Sequence, residues 1–175
     1  MRQLKIDLSE LEMAFDSGSE LISYYLDIET GEVISISDEE RGLLERIYAS
    51  SCDEQTQKVD WEAAFQEEHV PDWQRERLRE ADRIEADLGT RLIAIPSESS
   101  HEGYRDMEAF IVTVRSPSLQ EQLERAISGR GAFRYFKDVL LDYPAERERW
   151  FQFKRERLHQ RVLDWLESQG ITPLQ

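Results

Sequence analysis

The chain is poor in the residues on which many protein chemistries depend. It has one cysteine, Cys52, so neither an internal disulfide nor a Cys-x-x-Cys metal or redox pair can form. Its three histidines, His69, His101 and His159, stand far apart and make no His-x-x-x-His pair, so a metal cage is not expected. No Gly-x-Ser-x-Gly, Walker-type or dinucleotide-binding glycine run occurs, which removes the usual signals for hydrolases, nucleotide phosphate sites and Rossmann cofactors. No cofactor is expected. No apolar run approaches the roughly 18 residues of a membrane-spanning helix. The opening stretch Met1 to Asp16 carries acids where a secretion leader needs uninterrupted apolar residues, so a cytoplasmic protein with no membrane partner is expected.

Basic residues are also scarce. Twenty-two Lys and Arg face 37 Asp and Glu, a net charge of -15, which argues against general attraction of the whole molecule to nucleic acid or anionic lipid. What is present suffices for a core: 39% of the 175 residues are hydrophobic and 10% are aromatic. The charge is uneven. Residues 1–72 hold 5 basic and 19 acidic side chains, net -14, whereas residues 129–175 hold 9 basic and 7 acidic, net +2. Solvated faces at both ends account for the split, and so does a basic C-terminal surface that binds something.

Leu8, Leu11 and Phe15 recur at helical spacing and predict an opening helix ending near Gly18. Leu21 to Ile28 is rich in β-formers, Glu29 to Glu32 is a turn centred on Gly31, and Val33 to Ser37 alternates apolar and polar residues, so a hairpin follows. Arg91 to Ile95, stopped by Pro96, is the candidate third strand. Between them, Ser37 or Asp38 opens a helix with Leu43, Leu44, Ile47 and Tyr48 inward, Asp60 precedes a short helix, and Pro71 to Leu88 reads as a charged helix laced by i to i+4 ion pairs. From Ser97 the chain reads as helix after helix. Ser99 and Glu102 form a capping box, Ser116-Pro117 starts a second helix, Gly131 releases a third, and Tyr143-Pro144 precedes a long last helix ended by Gly170. The fold class expected is α+β: a small antiparallel sheet of a hairpin plus a third strand, with helices, and a predominantly helical C-terminal half. Residues 1–175 are expected to form one domain, with 1–96 the mixed, acidic part and 97–175 the helical part.

Few residues can carry chemistry. His101 sits among Glu98, Glu102 and Asp106 at a helix start and is the one candidate acid-base group, although carboxylates are expected there simply to offset the helix dipole. Cys52 is followed by Asp53 and Glu54, which disfavour a nucleophilic thiolate. The most distinctive segment is Gly129-Arg130-Gly131-Ala132-Phe133-Arg134-Tyr135-Phe136-Lys137-Asp138. Two glycines allow a sharp turn that sets amides and the cations Arg130 and Arg134 toward an anion. The same residues also read as a helix cap and start, with Phe133, Phe136 and Leu140 as core. Arg147, Lys154, Arg157 and Arg161 recur at helical spacing downstream and, with Tyr135 and Trp150, extend a basic and aromatic surface.

This segment, with Tyr104 to Phe110 before it, Trp150 and Trp165-Leu166 after it, and Tyr25-Leu26-Asp27, Thr30 to Val33 and Arg91 to Pro96 earlier, resembles a bacterial family catalogued only as an uncharacterised protein family. The resemblance spans most of the chain and implies a bacterial cytoplasmic protein. It brings no activity, cofactor or catalytic residue. Two classes of function follow from the residues. The first is a non-enzymatic binding or regulatory module that uses Arg130, Arg134, Lys137, Lys154 and Arg157 to hold an acidic protein partner or nucleic acid. The alternative is an enzyme of unknown reaction built on His101 with Glu98 and Glu102, or on Arg130.

Overall fold

The computed structural model describes residues 2–174. Among these, the elements in chain order are β1 (Arg2–Lys5), α1 (Leu8–Asp16), β2 (Ile22–Asp27), β3 (Val33–Ser37), α2 (Asp38–Ser51), α3 (Trp61–Glu67), α4 (Asp72–Asp87), β4 (Leu92–Ala94), α5 (Ser100–Val112), α6 (Pro117–Ile127), α7 (Ala132–Leu141), α8 (Pro144–Ser168) and β5 (Ile171–Leu174). The fold is α+β with a helical C-terminal half, as the residue pattern predicts. It divides into two compact units. One comprises residues 1–3, 8–18 and 97–173, and the other residues 4–7, 19–96 and 174–175.

In the mixed unit the three-stranded sheet has the order β3-β2-β4, all antiparallel, with Tyr25 paired to Ile34 on one side and to Ala94 on the other. Gly31 makes the hairpin turn at φ +84°, and its missing side chain admits the Lys5 carbonyl, which any Cβ there would strike. Asp27 braces the turn. Its Oδ1 accepts from the Glu29 and Thr30 amides at 2.8 and 3.1 Å, and its Oδ2 accepts from Arg91 Nη2 at 2.5 Å. Burial on its own would raise the Asp27 pKa, but the Arg91 bonds and the two amides outweigh it and hold the group down to about 2. The core beneath contains Ile36, Leu44, Ile47, Phe65, Leu78 and Ile84.

Two sequence expectations are corrected in this unit. Tyr48 does not face inward with Leu44 and Ile47: its ring is exposed, and its hydroxyl donates to Asp82 at 2.5 Å, which with burial pushes the phenol up to about 12. The arginines of α4 do not form an i to i+4 ladder. Arg75 and Arg77 pair at i,i+3 with Asp72 and Glu80, and Arg77 also reaches Glu40 at 2.7 Å and the Ser35 carbonyl at 2.6 Å, tying α4 to α2 and β3.

The other unit is helical. α1 packs on α8, with Phe15 edge-on to Trp165 at 5.5 Å between ring centroids. Ser99 and Ser116 cap α5 and α6, the former through a complete capping box with Glu102. Phe110, Phe136 and Trp150 meet edge to face at 4.8 to 6.1 Å and join α5, α7 and α8 in one core with Leu119, Leu123 and Leu140. β1 and β5, which the sequence pattern does not announce, pair with each other, and the Arg2 amide donates to the Gly170 carbonyl at 2.8 Å.

Candidate functional site

α7 begins without a side-chain cap. Gly131 takes φ +78° at its N-cap, and the first turn holds Arg134 and no acid, the reverse of what a helix start favours. The burial of Ala132, Phe136 and Leu140 turns the opposite side of α7 outward, so Arg130, Phe133, Arg134, Tyr135 and Lys137 are all exposed. Phe133 was expected in the core and is 43% exposed. Gly103 explains where its ring goes: a Cβ at Gly103 would lie 3.0 Å from the Phe133 ring, so the ring rests on the bare backbone of α5 rather than in the core.

Beside it, α8 presents Phe151, 40% exposed, with the Arg147 guanidinium 5.3 Å from its ring centroid. Trp150, assigned to the surface by the sequence reading as well as to the inward face, is 6% exposed and belongs to the core. Between α5, α7 and α8 lies a cleft of about 670 Å³. Phe133, Phe151 and Trp150 line it together with Gly103, Lys137, Lys154 and Arg155. Its carboxylates are Asp16, Glu98 and Glu148.

The structure thus separates the five predicted contact residues. Arg134 and Lys137 lie on α7 and Arg130 just before it; Arg134 has only a 3.8 Å approach to Asp138, and Arg130 and Lys137 enter no ion pair among the described residues. Lys154 lines the cleft but donates to Asp16 at 3.1 Å. Arg157 is committed elsewhere, its Nε donating to Asp106 at 2.9 Å. Asp106, 0% exposed, also accepts from Arg161 Nη1 at 3.0 Å and Nη2 at 2.9 Å, and Arg161 bridges to Glu98. Burial would lower the Arg161 pKa, but Asp106 raises it by bonding and by charge, so the guanidinium stays charged. Burial pushes the Glu98 carboxyl up, against the pull of Arg161 and Lys154.

This network clamps α8 to α5, and on its outer side a second cleft of about 410 Å³ opens among Arg105, Phe153, Arg157 and Asp164. Arg157 and Arg161 thus have carboxylate partners within the helical unit. The acid-base candidate separates too. His101 is exposed and lines neither cleft, Glu102 Oε2 accepts from the Ser99 amide at 2.8 Å, and Glu98 is taken by Arg161. Among the described residues no group of three or more His, Cys, Asp or Glu side chains could hold a metal ion, and no helix is long and apolar enough to cross a membrane. Sequence reasoning missed Phe151, Arg155 and Gly103. Gly103, inside α5 where glycine is costly, was the available signal of a close approach.

Comparison with known proteins adds a family. The Uncharacterised protein family (UPF0158) matches residues 69–175, a span that includes every residue lining the larger cleft except Asp16. The chain is also 28% identical over 173 residues to UPF0158 protein PA5073 of Pseudomonas aeruginosa, covering 99% of this chain and 88% of that protein. No solved structure matches.

Proposed function

The chain belongs to the uncharacterised protein family UPF0158, and on that premise we propose that it is a non-enzymatic binding module that holds an acidic protein partner on the α7–α8 face of its helical unit. One observation carries the reading: Arg130, just before α7, and Arg134 and Lys137 on it are exposed, and Arg130 and Lys137 enter no ion pair among the described residues, in a protein whose net charge is -15. Cations left uncompensated amid an excess of acid are poised for a charge outside the chain. Phe133, Tyr135 and Phe151 beside them supply the aromatic area that interface centres favour.

A protein partner suits this face better than nucleic acid. The net charge of -15 opposes a continuous phosphate backbone, whereas a protein can set its carboxylates at separate points. The tagged protein and its Arg130→Glu/Arg134→Glu variant are to be used as bait in a bacterial lysate, with and without nuclease. A partner that survives nuclease and is lost from the variant is the expected result. Retention by the variant removes this face from the proposal, and loss with nuclease assigns the face to nucleic acid.

A further inference from the structure

The cleft between α5, α7 and α8 is more specific than a charged patch. Its two exposed rings are held rather than loose: Phe133 rests on Gly103, and Phe151 lies against Arg147. Trp150, almost wholly buried, lines the cleft too, so three aromatic side chains contribute to its wall. The volume, about 670 Å³, lies within the range of concave sites that bury most of a side-chain-sized or drug-sized group.

The charges around the cleft sort themselves. Asp16 is held by Lys154, and Glu98 by Arg161, so neither carboxylate is left to attract a cation. Lys137 and Arg155 enter no ion pair among the described residues and stand against Glu148 alone. An apolar hollow lined by two cations that enter no ion pair, with Arg134 on α7 and Arg130 just before it, complements a segment that carries an apolar side chain next to carboxylates.

We infer that this cleft is an anchor pocket for an acidic partner segment, which inserts one aromatic or long aliphatic side chain between Phe133 and Phe151 and sets flanking carboxylates against Lys137 and Arg155. The inference rests on the binding reading above and adds the pocket and the chemistry that fills it.

The test uses the full chain. A random linear peptide library displayed on phage is selected against it, and the most enriched peptide is synthesised with a fluorophore and titrated against wild type, Phe151→Ser, Phe133→Ser and Lys137→Glu/Arg155→Glu. The expected peptides carry Asp or Glu within a few residues of Trp, Phe or Leu. Phe151→Ser and the charge-reversed pair are each expected to weaken binding at least about tenfold. Phe133→Ser removes the Gly103 contact, so circular dichroism accompanies it; Phe151→Ser and the charge pair alter exposed side chains and decide the matter without it. Enrichment of peptides lacking the acidic-apolar pattern overturns the inference, as does competition by single-stranded oligothymidylate that also survives Phe151→Ser. Sedimentation showing a wild-type dimer that Phe151→Ser dissociates assigns the cleft to a second copy and likewise overturns it. If Arg130→Glu/Arg134→Glu abolishes binding while Phe151→Ser leaves it unchanged, the pocket fails and the binding face stands. If the cleft variants abolish binding and Arg130→Glu/Arg134→Glu does not, the pocket stands and the wider face fails.

Discussion

Asp27 shows how much one side chain can hold. It ties the hairpin turn to β4 through Arg91, and its pKa falls from an ordinary 3.8 to about 2 because the bonds to the charged form outweigh burial. A carboxyl whose folded pKa is depressed contributes stability that is complete above the unfolded pKa and is lost as pH falls through the folded one. That places the loss between about pH 4 and about pH 2, with a magnitude on the order of 2 kcal/mol. Asp27→Asn is expected to forfeit this stability at neutral pH and to flatten the acid limb, as urea midpoints measured across that window would show. The hairpin itself was legible from Thr30-Gly31 and the alternation of Val33 to Ser37. The Arg91 bond was not, because nothing in local spacing joins residues 64 positions apart. Phe133 failed for a related reason. Its spacing to Phe136 and Leu140 is that of a core stripe, and only the bare backbone of Gly103, on another helix, turns it into a wall of the cleft.

Helices were read more reliably than their surroundings because their ends carry local chemistry. Ser37 and Ser99 each complete a capping box, with Glu40 and Glu102 returning the bond to the cap amide at 2.8 Å. They lie in different units, so their effects should be independent. Ser37→Ala and Ser99→Ala are each expected to cost about 1 kcal/mol, and the double variant the sum to within about 0.5 kcal/mol, as read by urea unfolding. The short strands went unforeseen because β1 and β5 are four residues each, with too little alternation to register, and β5 contains Pro173. The cleft was half legible. Its cations on α7 follow from sequence, whereas Phe151 and Arg155 become part of it only once the register of α8 against α5 and α7 is known.

Across the whole molecule, charge divides by unit as well as by position along the chain. The mixed unit holds 9 basic and 21 acidic side chains, net -12, and the helical unit carries the remaining -3. Repulsion among the surplus acids opposes the compact state of the mixed unit, and added salt screens it. Raising sodium chloride is therefore expected to slow hydrogen exchange of the β2 amides, with a smaller effect on those of α6. A flat response of the β2 amides would show that the arginine contacts of Arg41, Arg77 and Arg91 already balance the repulsion.

The helical unit is also discontinuous, since α1 joins residues 97–173 across the whole of the mixed unit. During synthesis α1 leaves the ribosome well before α8, on which it packs with Phe15 edge-on to Trp165. The apolar stripe of α1 must therefore wait uncovered while more than a hundred residues are translated. Its docking is a late, long-range closure, which makes the nascent chain a natural client for chaperones that shield short amphipathic helices.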